Sequence, residues 1–259
     1  MTGDAQNNIL VGNRGQDTLN GKEGNDSLQG RDGIDTLNGG DGNDRLQGDE
    51  GADVLDGGTG FDWATYRRSE VGVNVNLATG MASGGHAEGD RFINIERVQG
   101  SQWDDLIVGD DARNILFGNE GKDSIFGGNE RDSLNGQQGA DTLTGGNDRD
   151  TFSFKFGDSF LSDYDHITDL EIGRDRLNAP NKVDAADVTQ LGNAASLSES
   201  DVQAILTSGA FVANGAATFT VGTQTFVALN DDTAGFRAAS DMVVEITGFS
   251  GSLSTLAII

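Results

Sequence analysis

The sequence predicts an all-β fold: a parallel β-roll solenoid in two blocks, followed by a small, mainly-β (α+β) C-terminal domain. Three observations predict it. Glycine recurs every nine residues, at Gly3, Gly12, Gly21, Gly30, Gly39, Gly48 and Gly57, and again from Gly100 through Gly109, Gly118, Gly127 and Gly136 to Gly145. The sixth position of the unit is Asp17, Asp26, Asp35, Asp44, Asp53, Asp62, Asp105, Asp123, Asp132, Asp141 and Asp150, slipping to Asn only at Asn8 and Asn114. The eighth position is apolar in every unit, from Leu10, Leu19 and Leu28 to Leu134, Leu143 and Phe152.

Composition narrows the function classes. The 259 residues include 39 glycines, one proline and no cysteine, and 35% are hydrophobic. That excludes collagen, disulfide staples and thiolate metal sites, and no apolar run is long enough for a transmembrane segment. A net charge of −25 disfavours nucleic acid and anionic lipid as partners and makes cations the natural counterpart. Met1 to Asn8 has neither a basic n-region nor an apolar h-region, so no cleavable signal peptide is expected.

Residues 1–65 form the first block of seven nonapeptides. Each unit reads as a glycine-bearing turn followed by a short strand whose middle residue points inward while its neighbours point out. Two units per coil stack these strands about 4.8 Å apart as two parallel sheets, with the position-eight side chains between them. The same stacking sets the position-six carboxylates of units i and i+2 above one another. Residues 66–99 break the period as a β spacer, with one strand at Val71–Leu77 and a second at Phe92–Glu96. Residues 100–153 form the second block of six units, and 154–178 cap the roll, beginning with the alternating Thr151–Phe156. Residues 179–259 form the last domain. There Ser196 and Glu199 offer a capping box for a short helix to about Leu206, ended by Gly209. Ala217–Val221 and Thr223–Leu229 read as a hairpin, and Met242, Val244 and Ile246 as one further strand.

One buried side chain per nine ordered residues falls well short of the entropy cost of ordering them. Stacked carboxylates add repulsion, so a divalent cation is needed to join the turns. Carboxylate and carbonyl oxygens, with no Cys and only two His, select Ca2+ over zinc or copper. An EF-hand is excluded because Asp41-Gly42-Asn43-Asp44 lacks the acidic residue at loop position twelve.

Units such as Gly39-Gly40-Asp41-Gly42-Asn43-Asp44-Arg45-Leu46-Gln47 resemble the RTX (hemolysin-type) calcium-binding nonapeptide. The resemblance implies a right-handed roll that binds multiple Ca2+ ions between turns i and i+2, through position-six carboxylates and carbonyls of the glycine-rich turns. The implied pairs are Asp26/Asp44, Asp44/Asp62, Asp17/Asp35, Asp35/Asp53 and Asp123/Asp141, with Asp105/Asp123 and Asp132/Asp150 less regular. The implied turn ligands are Gly15, Gly24, Gly33, Gly42, Gly51, Gly60, Gly121 and Gly139. Position four departs from glycine at Gln6, Trp103, Ala112, Glu130 and Asp148, and those turns are expected to be distorted.

The C-terminal segments Ala210–Gly215, Thr225–Asp231 and Ile246–Gly251 resemble the bluetail domain of cyanobacterial surface proteins. The ending Ser250–Ile259 is compatible with the uncleaved signal read by type I secretion machinery. The resemblance thus implies a secreted or cell-surface location, with cell-surface or extracellular-matrix components as candidate partners. No catalytic motif is present: Gly248-Phe249-Ser250-Gly251-Ser252 misses the nucleophile elbow, and His86 and His166 are isolated, so a non-enzyme is expected. Two alternatives are a noncatalytic calcium module of a larger secreted enzyme, and an adhesive roll using the short Thr18/Asn20 and Thr36/Asn38 ladder.

Overall fold

The computed structural model describes residues 1–207 and 209–259, which divide into two compact units, Met1–Asn129 and Glu130–Ile259. In the first unit the opening repeats give β1 (Ile9–Arg14), β2 (Thr18–Glu23), β3 (Ser27–Asp32), β4 (Thr36–Asp41), β5 (Arg45–Gln47), β6 (Val54–Thr59) and β7 (Trp63–Thr65). Residues 66–99 give β8 (Asn74–Asn76), β9 (Met81–Ser83), β10 (Arg91–Ile93) and β11 (Arg97–Gln99). The period then resumes with β12 (Leu106–Val108), β13 (Ile115–Glu120) and β14 (Ser124–Gly128).

Successive strands alternate between two sheets. One sheet runs β1-β3-β5-β7-β11-β13, the other β2-β4-β6-β10-β9-β8-β12-β14. Pairing is parallel except where β9 lies antiparallel between β8 and β10. The register aligns equivalent repeat positions, Leu10 with Leu28 and Leu46, and Leu19 with Leu37 and Leu55. This is the two-unit coil that the nonapeptide period predicts. Leu19, Leu28, Leu37, Leu46, Leu55 and Ala64 are all but inaccessible, as are Val98, Ile107, Leu116 and Ile125 further along.

The segment that breaks the glycine period does not break the sheets, because Ala64 pairs with Val98 and Leu55 with Phe92. Of the strand expected over Phe92–Glu96 only Phe92 and Ile93 are in a strand, β10, because Asn94 takes a left-handed φ of 50° and the chain turns there before β11 begins at Arg97.

The second unit contains β15 (Ser133–Gln138), β16 (Thr142–Gly146), β17 (Thr151–Ser153), β18 (Asp165–Ile167), β19 (Arg176–Asn178), β20 (Val188–Asn193), α1 (Glu199–Ile205), β21 (Ala216–Val221), β22 (Gln224–Leu229) and β23 (Met242–Glu245). β15, β17 and β19 stack in parallel, and a second sheet runs β16-β18-β23-β22-β21-β20. Two β22-flanking pairs are antiparallel, whereas β18 joins β23 in parallel.

The hairpin closes on Gly222 and Thr223, with Val221 opposite Gln224 and φ 61° at Gly222. The helix starts two residues later than expected: Ser198, not Ser196, is the N-cap, its hydroxyl accepting the Asp201 N–H at 3.3 Å. Ser196 instead donates to the Asp201 carboxylate at 2.6 Å. Val202 and Leu206 bury the inner face of α1 beside Phe211, Phe219, Phe226 and Phe236. The strand over Met242–Glu245 is buried on both faces rather than alternating.

Candidate metal centre

The turns between strands bring the position-six aspartates into columns. On one edge of the first unit the Asp17 N–H donates to Asp35 Oδ1 at 2.8 Å, the Asp35 N–H to Asp53 Oδ1 at 2.7 Å, and the Asp53 N–H to Asp90 Oδ1 at 2.8 Å. On the other edge Asn8 donates to Asp26, Asp26 to Asp44 and Asp44 to Asp62 at 2.6–2.7 Å, and Asp62 to Glu96 Oε2 at 2.9 Å. Further along, Val73 donates to Asp105 and Asp105 to Asp123 at 2.7 and 2.8 Å. The second unit repeats the contact from Asp132 to Asp150, Asp141 to Asp165 and Asp150 to Asp175 at 2.9–3.1 Å. Asp123 belongs to the first compact unit and Asp141 to the second.

In most of these residues one carboxylate oxygen is committed to the backbone and the other is not; Asp105 is the exception among the repeats, its Oδ2 accepting the Ser101 N–H at 2.6 Å. The Oδ2 atoms of Asp17, Asp26, Asp35, Asp44, Asp53, Asp62, Asp150 and Asp165 are buried without any hydrogen-bond partner. Buried unpaired carboxylate oxygens are costly, so a column of them marks a position where a cation belongs. Glycine at position one makes room for this oxygen. A Cβ on Gly21 would lie 2.1 Å from Asp26 Oδ2 and 2.4 Å from the Gly39 carbonyl, and one on Gly39 would lie 2.2 Å from Asp44 Oδ2 and 2.6 Å from the Gly57 carbonyl. The free oxygens of Asp26 and Asp44 therefore sit beside a carbonyl of the next coil.

Position four is equally constrained. Gly42 has φ 139°, and a Cβ there would come within 2.0 Å of the Gly24 carbonyl. All eight glycines implied as turn ligands, from Gly15 to Gly139, have positive φ, and Glu130 and Asp148 hold the same left-handed sign at position four at 68° and 72°. At position two Asn13, Lys22, Arg31, Asp49, Asn119 and Gln137 adopt φ between 68° and 93° where other units have glycine. Between the columns Asn7, Asn25 and Asn43 form an amide ladder at position five, each Oδ1 accepting the next coil's N–H at 2.7–2.8 Å.

Burial raises several of these carboxyls. Asp35 and Asp44 rise, first through burial and then through the aspartate of the preceding coil. Asp53 is pushed up to about 7 and Asp62, Asp90 and Asp150 to about 6, with burial the largest cause in each. Asp165 is raised furthest, by burial and then by the charge of Asp141.

Four column members fall outside the nonapeptides: Asp90, Glu96, Asp165 and Asp175. None follows glycine at both position one and position four, yet each opens an acid-x-apolar triplet, Asp90-Arg91-Phe92, Glu96-Arg97-Val98, Asp165-His166-Ile167 and Asp175-Arg176-Leu177. That triplet, positions six to eight of the unit, is the signal that reveals them. Asp90 and Asp175 differ in that their second oxygen is partnered: the buried Tyr66 hydroxyl donates to Asp90 Oδ2 at 2.8 Å and the Glu171 N–H to Asp175 Oδ2 at 2.7 Å.

Among the described residues no three His, Cys, Asp or Glu side chains converge, so a cation in these columns would be held by backbone carbonyls with one or two carboxylates. An all-oxygen, partly carbonyl donor set fits calcium. His86 and His166 stand apart, half-buried against Asp49 and Glu245 at 3.8 and 4.0 Å.

Parallel coils with a single apolar stripe inside and acceptor-only carboxylate columns at the turns define a β-roll protein of the calcium-binding class. A family model for the RTX calcium-binding nonapeptide repeat matches four times, at residues 1–28, 29–64, 99–134 and 126–161. Residues 1–64 and 99–161 are RTX calcium-binding nonapeptide repeats. No curated protein matches the chain.

Proposed function

We propose that the chain is a secreted or cell-surface structural protein that folds on binding several Ca2+ ions through Asp17, Asp26, Asp35, Asp44, Asp53, Asp62, Asp105, Asp123, Asp132, Asp141 and Asp150 and the carbonyls of their turns. The observation that carries this reading is the row of buried, unpartnered Oδ2 atoms. Calcium bound there supplies the charge that lets neighbouring coils stack. The chain's own part is to hold each carboxylate by one backbone N–H and to bring a carbonyl of the next coil to its second oxygen.

The roll blocks are 1–65 and 100–153, separated by the 66–99 spacer, with 154–178 as cap and 179–259 as a bluetail-like C-terminal domain. Export by type I machinery suits a chain that stays unfolded at low cytosolic calcium and folds where calcium is plentiful. Circular dichroism during a calcium titration of the chelated protein tests the reading. The expected result is a calcium-driven, magnesium-indifferent gain of β structure with several ions bound per chain. A β spectrum indifferent to calcium would reject it.

Asp165 extends the ligand set beyond the matched repeats. It is fully buried, accepts the Asp141 N–H through Oδ1 and leaves Oδ2 unpaired, as the position-six residues do. Asp165→Asn should lower the number of calcium ions counted per chain by one or more. An unchanged count would confine the sites to the repeats.

A further inference from the structure

The outer face of the β3-β5-β7-β11-β13 sheet carries a cationic row in a chain of net charge −25. Strand register places Ser27, Arg45, Trp63, Arg97 and Ile115 side by side across that face. The parallel row two residues on is Gln29, Gln47, Thr65, Gln99 and Phe117, rich in amides. At one end Arg45, Gln29, Gln47 and Ser27 meet Arg67 and Arg68 around a cavity of about 440 Å3. At the other, Trp63 stacks on Phe117 with ring centres 5.5 Å apart and planes 21° from parallel, and Arg97 lies over Trp63 at 5.4 Å.

Among the described residues Arg45, Arg67 and Arg68 form no ion pair, and Arg97 forms none either, although its charge acts on Asp62 and Glu96. Nor does Arg113; the pairs formed use Arg14, Arg174, Arg237 and the two histidines. Arg45 donates only to the Thr65 hydroxyl, at 3.3 Å, and its pKa is lowered by burial and then by the charges of Arg67 and Arg68. Three guanidinium groups around one polar cavity repel one another until an anion joins them. Their planar forks suit carboxylate or sulfate oxygens, the flanking amides suit hydroxyls, and the indole offers a flat apolar surface. Arg45 and Arg97 stand two strands apart, about 10 Å, so successive anionic groups on one chain would be met in turn.

We propose that this face binds an acidic glycan, its carboxylate or sulfate group seated in the Arg45, Arg67 and Arg68 cavity and a sugar ring on Trp63. The inference uses only outward-facing side chains and does not depend on which oxygens hold calcium.

The test is titration of the calcium-loaded full chain with a galacturonate hexamer, a sulfated maltohexaose, neutral maltohexaose and hexathymidylate. One acidic hexasaccharide should bind, and which one identifies the anion; the neutral sugar and hexathymidylate should not. Arg45→Gln combined with Arg67→Gln and Arg68→Gln should weaken binding at least about tenfold, since each guanidinium bond lost is comparable to a factor of ten. The double variant Arg67→Gln, Arg68→Gln should weaken it in the same direction. Lys22→Gln with Lys122→Gln removes the same charge as that double variant from outside the row and should leave affinity within about twofold. Circular dichroism of each variant first establishes that the roll is folded. Binding by neither acidic sugar, equal losses in the row and control variants, or equal binding of hexathymidylate would overturn the proposal.

Discussion

Replacing Asp44 by asparagine should raise the calcium concentration needed for half-maximal folding by about tenfold or more, with fewer ions bound. Asparagine keeps the volume of the side chain and an oxygen able to accept the Asp26 N–H, the contact made at 2.7 Å in the native chain. What it removes is the charge of the second, unpartnered oxygen. If the carboxylates served only to stitch coils together, the change would be neutral, or would stabilise the cation-free chain by removing a buried charge. As a ligand shared by the Asp26/Asp44 and Asp44/Asp62 pairs, Asp44 should instead affect two sites together, and a charged contact is worth roughly 1.5–3 kcal/mol. Asp4→Ala is the control. Asp4 is exposed at position two, accepts from the Gln6 N–H and the Asn8 side chain, and touches none of the column carboxylates. Equal shifts for the two variants would remove the ligand assignment. The native chain already contains a version of the experiment, because Asn8 occupies position six at the start of its edge.

The parts of the fold legible in the sequence are those that repeat. Leu19, Leu28 and Leu37 recur at one phase because a coil of two units places every such residue between the sheets, so the period alone gives pairing, core and column. Where glycine is lost the period is invisible, yet the physical demand persists. Asp90, Glu96, Asp165 and Asp175 are set by the need of an N–H one coil back for an acceptor, which turns of other lengths also satisfy. The cationic face was hidden for a different reason. Arg97 neighbours Trp63 only because a break of 34 residues restores the register across β7 and β11. In the C-terminal residues, two serines each with an acid three positions on, Ser196 with Glu199 and Ser198 with Asp201, offer equivalent caps, and packing of Val202 and Leu206 selects the second. β20, whose side chains are largely exposed, carries no clean alternation and was not predicted.

The stability of the roll should depend on pH in opposite senses with and without calcium. In the cation-free folded chain Asp53 holds its proton up to about 7, and Asp62, Asp90 and Asp150 up to about 6, against an ordinary value of 3.8. Between about pH 4 and pH 7 the folded chain therefore binds more protons than the unfolded chain. The stabilisation from these protons is fully present below the ordinary value and is lost as pH rises through the folded values. Chelated protein should accordingly show more β structure and a higher urea midpoint at pH 4.5 than at pH 8. Calcium competes for the same oxygens, so its binding releases protons and its midpoint should fall as pH rises across that window. Urea unfolding at the two pH values, with chelator and with saturating calcium, reads both senses at once. A chelated chain no more stable at pH 4.5 than at pH 8 would mean that the buried carboxylates are not what destabilises the cation-free roll. The reason for calcium's hold on the fold would then lie in the turn carbonyls instead.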